Sequence, residues 1–246
     1  MNSTRRISIA TGALFIVATV AAVAAAALLP ALTGPGYLTG VVVHANQMAA
    51  SALVYLIAAG TSVGIAIALY PLLKKTNATL ALGAVVFRTI EAAFYTAAVV
   101  SLLSITTLGR QFAEAPAASR APIQAMADYV LSVRDHSTLA GVFAFSVGSF
   151  MYSVVFYRSR LVPRWLSAWG VAGALLMGTA CLLSLFSDDP VTGYYLLFLP
   201  VAVWEMVIAV WLLVKGFSPG ITGTDVRIVS VATTRRDVRE PVQSGG

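Results

Sequence analysis

Residues Ala78 to Ser104 read ATLALGAVVFRTIEAAFYTAAVVSLLS, and this stretch decides the fold because it sets Arg88 and Glu91 inside an otherwise apolar run. A full charge at the centre of a bilayer costs about 2.5 to 3.5 kcal/mol on insertion scales, so such residues face protein or water and have a partner. The stretch is long enough to cross a membrane as a helix, which takes about 20 apolar residues. A polar focus inside a membrane bundle is the reading that satisfies both facts.

The rest of the chain agrees. Of its 246 residues 59% are hydrophobic and only 11% charged, against roughly 25% charged in soluble domains, and the mean hydropathy is +0.85. Five further apolar runs can be drawn on either side of the first: Ile7 to Leu29, Ser51 to Leu73, Ser137 to Phe156, Trp165 to Phe186 and Tyr194 to Val214. The fold class is therefore all-α, a polytopic membrane helix bundle with six transmembrane helices in residues 1–217, followed by a polar, disordered cytoplasmic tail over 218–246. The first run outlasts the 7 to 15 apolar residues of a signal-peptide core and is read as a retained helix. The long connection from Thr106 to His136 is expected to hold an interfacial helix opened by Pro122, with Ile123, Met126, Val130 and Val133 on one face.

Charge fixes the orientation. Arg5, Arg6, Lys74, Lys75, Arg158, Arg160, Arg164, Lys215, Arg227, Arg235, Arg236 and Arg239, twelve of the 16 basic residues, fall on the side of the two termini, and only Arg110, Arg120 and Arg134 fall opposite. The positive-inside rule then makes both ends cytoplasmic and the membrane the inner one. The net charge of +6 is spread over loops as topology signals without interleaved aromatic residues, so nucleic acid is not expected as a partner. The lipid bilayer is. Small residues recur at four-residue spacing at Gly60, Gly64 and Ala68, and again at Gly170, Ala174 and Gly178, faces that suit close packing within one chain or in a homo-oligomer.

Arg88, Glu91 and Tyr95 share one helix face. Glu205 stands ten residues before Lys215, about 15 Å of helix, and Arg88 thirteen residues after Lys75, about 20 Å less the short link, so the two reach similar depth. The candidate site is an intramembrane cluster of Arg88, Glu91, Glu205 and Tyr95. One guanidinium matches one carboxyl; the other is expected to hold a proton or to find a partner outside the trio. The cluster reads first as a structural clamp, and alternatively as the site of a small proton-coupled or solute transporter. The matched pair of broken helices that marks many transporter sites is missing, since Pro71 and Pro200 stand at unmatched positions.

No other chemistry is indicated. His44 and His136, at helix ends, are weak candidates for a metal or haem pair and are read as solvated, so no cofactor is expected. The lone Cys181 sits in an apolar run, and neither G-x-S-x-G nor H-E-x-x-H occurs, so the chain is not read as an enzyme.

Several strings carry a family likeness: Ala68-Leu69-Tyr70-Pro71-Leu72-Leu73-Lys74, Phe87-Arg88-Thr89-Ile90-Glu91-Ala92, Leu161-Val162-Pro163-Arg164-Trp165-Leu166-Ser167 with Trp169-Gly170, and Glu205-Met206-Val207 leading to Trp211-Leu212-Leu213-Val214-Lys215-Gly216-Phe217. In order and spacing they resemble the bacterial membrane proteins grouped as domain of unknown function 4386, over about residues 5 to 217, and Arg134-Asp135 resembles that family too. The resemblance implies a six-helix integral protein with Arg88, Glu91 and Glu205 on family positions. It implies no known activity.

Overall fold

The structure, a computed structural model, describes residues 3–187 and 189–218. The expected tail lies outside the described residues from 219 onward. Among the described residues seven α-helices follow in order: α1 (Ser3–Leu28), α2 (Tyr37–Val43), α3 (Ala45–Leu73), α4 (Ala78–Glu114), α5 (Ala117–Ser159), α6 (Arg164–Ser187) and α7 (Tyr195–Val214), the last preceded by a 3-10 turn at Val191–Tyr194. Six segments of the described residues are long and apolar enough to span a membrane; α2 is not among them.

The six long helices close into a ring. Each packs on its sequence neighbour, α1 on α3, α3 on α4, α4 on α5, α5 on α6 and α6 on α7, and α1 also packs on α7. Hydroxyl and indole groups fasten these seams to backbone carbonyls of the neighbouring helix. Ser8 donates to Leu212 O at 2.6 Å, Ser51 to Ala25 O at 2.8 Å, Ser146 to Ala174 O at 2.7 Å, and Trp204 Nε1 to Leu166 O at 2.6 Å. Such bonds do much of the joining where lipid and helix surface are equally apolar and no hydrophobic drive separates them. Arg5 reaches the free carbonyls of Leu212 and Leu213 at 3.3 and 2.7 Å, a cation at the negative end of α7.

Two features differ from the sequence expectation. The helix expected at Pro122 exists, but it begins at Ala117 and runs without a break into the fourth crossing. Its Ile123 and Val130 pack inward beside the fully buried Ala127, whereas Met126 and Val133 face outward. At 37 and 43 residues, α4 and α5 are about 55 and 65 Å long, well beyond a hydrocarbon core of about 30 Å, so they project together as an antiparallel pair on the side opposite the termini. The second difference is α2. The Pro-Gly-rich connection after α1 contains this short helix, which docks on α4 with Tyr37, Leu38 and Val41 buried.

Small residues set the approach of neighbours. A Cβ at Gly12 would stand 2.9 Å from Ala209 O on α7, and one at Gly170 would stand 2.6 Å from Trp204 Cζ2 and 2.7 Å from Ser153 Oγ. Gly60, by contrast, has no neighbour within 4 Å of such an atom, and Gly64 meets only the Leu14 side chain at 3.5 Å. The Gly170 face is thus consumed within the chain. Gly170→Ala is expected to lower unfolding stability by about 1 to 3 kcal/mol through overpacking against the rigid indole, while Gly60→Ala is neutral or stabilising by up to about 1 kcal/mol. Thermal unfolding of the two variants in the same detergent checks the contrast.

Candidate functional site

Arg88 lies inside the ring with 1% of its surface exposed, Glu91 with 2% and Glu205 with 7%. The helix α4 that carries the first two is started by Asn77, whose side chain accepts from Leu80 N at 2.9 Å and caps the free amides. One turn apart, Arg88 Nη1 and Glu91 Oε2 pair at 2.9 Å. Depth matching between α4 and α7 places Glu205 Oε1 3.6 Å from Arg88 Nη2, as the helix arithmetic requires.

Five more helical positions complete the cluster. Ser62 on α3 accepts from Arg88 Nη1 at 3.1 Å and donates its single proton toward Glu91, both of whose oxygens lie at 2.9 Å. Tyr152 on α5 accepts from Arg88 Nη2 at 3.0 Å and shares a hydrogen bond with Ser149 at 2.9 Å. Thr19 on α1 donates to Glu205 Oε2 at 2.7 Å. The Phe145 ring lies 4.0 Å from Arg88 Cζ, a cation–π contact in a desolvated setting. Arg88 Nε alone among its nitrogens has no hydrogen-bond partner. Side chains from α3, α4, α5 and α7 therefore converge on one guanidinium, and α1 joins through Thr19 on Glu205.

The α5 face opposite Arg88 reads Phe145, Gly148, Ser149 and Tyr152, the spacing of one helical stripe. Gly148 is there for space, since a Cβ would sit 3.3 Å from Arg88 Cγ. Beyond it Phe15, Tyr152 and Trp204 form an aromatic wall, with Tyr152 and Trp204 stacked at 6.0 Å and Phe15 edge-on to both.

Of the expected site residues, Arg88, Glu91 and Glu205 come together, and Tyr95 does not join them. Tyr95 makes no hydrogen bond among the described residues; its ring stands edge-on to Tyr55 at 5.3 Å and presses against Gly141, one turn or more from the ion pair. The phenol beside Arg88 is Tyr152, which a reading of single-helix faces had no means to select. Outside the trio, Ser62 bonds Glu91 and Thr19 bonds Glu205, where a partner for one of the two carboxyls was expected as the alternative to a proton. His44 Nδ1 lies 2.8 Å from Gly40 O and His136 Nδ1 2.8 Å from Ser132 O, so each exposed ring turns back on its own helix. No group of three or more metal-binding side chains occurs among the described residues.

Fold and site together define a polytopic membrane protein built as a six-helix ring around a buried ion cluster. Residues 10–216 match the family described as Domain of unknown function (DUF4386), and the chain belongs to it. No curated protein and no solved structure matches the chain.

Tyr152→Phe removes the acceptor of Arg88 Nη2 and is expected to cost about 1 to 3 kcal/mol, the usual penalty for orphaning a buried donor. Tyr95→Phe is expected to change stability by less than about 0.5 kcal/mol. Denaturant titration of both variants in one detergent tests the exchange of roles.

Proposed function

We propose that the protein is a non-enzymatic, multi-pass inner-membrane protein with cytoplasmic termini, in which Arg88, Glu91 and Glu205 act as a clamp that holds the helix ring at one depth. The observation that carries this reading is the enclosure of Arg88: two hydrogen bonds on Nη1, one on Nη2 and a second carboxylate nearby come from four helices, at 1% exposure. A group meant to load and release a solute needs access, and the guanidinium has almost none. The aromatic wall on one side and Phe145 on another leave its neighbours packed rather than wet.

The carrier reading keeps one supporting observation. A cavity on the side opposite the termini is lined by Tyr55, and Tyr55 touches Tyr95, one turn from Glu91. The cavity wall is therefore in contact with the ring that stands one turn from the ion pair.

Vesicles distinguish the two. Under an imposed pH gradient the wild-type chain is expected to dissipate the gradient no faster than empty vesicles, and Glu205→Gln to lower the melting temperature without altering that rate. A proton or solute flux present in the wild type and lost in Glu205→Gln would establish the carrier instead. The orientation has its own check: a reporter fused after Gly246 is expected to be active only in its cytoplasmic form, as the distribution of Lys and Arg requires.

A further inference from the structure

The same cavity has a composition that neither the clamp nor the carrier reading uses. It measures about 280 Å³ and lies where α1 ends, α3 begins, α4 leaves its apolar run and α5 enters its own. Its wall is mostly small and aliphatic, with Ala25, Leu29, Ala98, Val99 and Leu102 among the lining residues. That volume is about twice that of an engineered apolar cavity that takes up benzene. A chain of roughly ten carbons is the size of guest it suits.

The polar residues on the wall are Ser51, Tyr55, Arg134, Thr138 and Thr192, all able to donate and none acidic. Arg134 lines the cavity, with 16% of its side chain exposed, and among the described residues uses only Nη1, which meets Asp135 Oδ1 at 2.8 Å. Asp135 itself lines a different cavity, beside Asp128 and Ser132, and is not among the residues around this one. Tyr55 adds a hydroxyl that has no hydrogen-bond partner among the described residues. Ser51 and Thr138, also on the wall, have already spent their protons on Ala25 O and Arg134 O. An apolar chamber with an arginine and a phenol at hand matches an anion attached to a chain.

Position agrees with composition. Arg134 stands just before the apolar fourth run, which puts it at the boundary between headgroups and hydrocarbon, where a long cationic side chain is at home. We infer that this cavity binds a single-chain carboxylate amphiphile, a medium-chain fatty acid in chemical class, with its carboxylate on Arg134 and Tyr55 and its chain among Ala25, Ala98 and Leu102. Tyr55 lines the cavity, whereas Tyr95 behind it, Glu91 and Arg88 do not, so the site stands apart from the ion cluster and does not depend on what that cluster does.

The test uses the full chain in nanodiscs of zwitterionic lipid at pH 8, with two probes: dodecanoate and dodecanol, each bearing a mid-chain diazirine. After irradiation and peptide mapping, dodecanoate is expected to label the segments containing Ala25–Leu29 and Ala98–Leu102 about tenfold more than dodecanol does, the ratio expected of a charge-assisted hydrogen bond. Arg134→Gln should abolish that preference and Arg134→Lys should keep part of it. Ala98→Leu, which fills the chamber and leaves Arg134 in place, should exclude both probes from those segments. Equal labelling by acid and alcohol overturns the inference, as does an unchanged pattern in Ala98→Leu, or label confined to outward residues such as Leu53 and Leu103. Should Arg134→Gln fail to assemble, the probe preference in the wild type and the Ala98→Leu result decide the matter alone.

Discussion

The fold depends on satisfying one guanidinium where there is no water to do it. Arg88 stays charged, because arginine does not give up its proton in proteins, and a low-dielectric surround makes both its attraction to carboxylates and the penalty for leaving it bare large. Glu91, one turn along, supplies the nearest countercharge at 2.9 Å. A guanidinium has five N–H donors in a fixed fork, and one neighbour cannot use them all. Those on Nη1 and Nη2 are met from α3, α5 and α7 as well, which draws these helices to a common depth around it.

Space had to be made for this convergence, and the glycines show how. Gly148 faces Arg88 and Gly141 faces Tyr95; the two pairs are seven residues apart on each helix and run in opposite directions, so a single antiparallel register of α4 and α5 sets both. Gly12 and Gly170 do the corresponding work for α7, against α1 and α6. The contact of α1 with α7 then closes the ring, and Thr19, carried on α1, reaches Glu205 from that seam. Cluster and ring are one arrangement seen at two scales.

What the sequence revealed and what it hid follow from the range over which each signal acts. Helix existence and number come from local hydropathy, so six crossings were legible, and the depth of Arg88 and Glu205 could be measured from the lysines that end their helices. Tyr152, Ser62 and Thr19 were not legible, because a hydroxyl in a membrane helix looks the same whether it bonds its own helix, as Thr89 does to Val85 O at 2.9 Å, or a neighbour's carboxylate. Only helix order and rotation, which are tertiary facts, separate the two. Tyr95 was chosen for the cluster because it shares a face with Arg88; yet seven residues are about 10 Å of rise, enough to put it in the next layer, against Tyr55. The overhang of α5 escaped for a different reason: its extramembrane part is polar, so the pattern suggested a separate element, although the helix simply continues.

On the proposal that the cluster clamps the ring, its contribution need not be stability as such. Buried ion pairs replaced whole by well-packed apolar groups often leave a protein as stable or more so, while loss of one partner costs about 3 to 5 kcal/mol. In water that would make the cluster dispensable, but a membrane bundle has a further problem. Its helices are apolar on nearly all sides, as the exposed Leu53, Ile67, Leu103, Leu182 and Val210 show, and alternative rotations or depths bury similar surface. Sliding α7 by a turn, about 5.4 Å, would strip Glu205 from both Arg88 and Thr19, and turning α4 would aim a cation at acyl chains. The ion cluster penalises these alternatives far more than it rewards the native one. Under the clamp proposal, Arg88 and its acids select one ring among many similar ones, which would account for a residue so costly to bury standing at its centre.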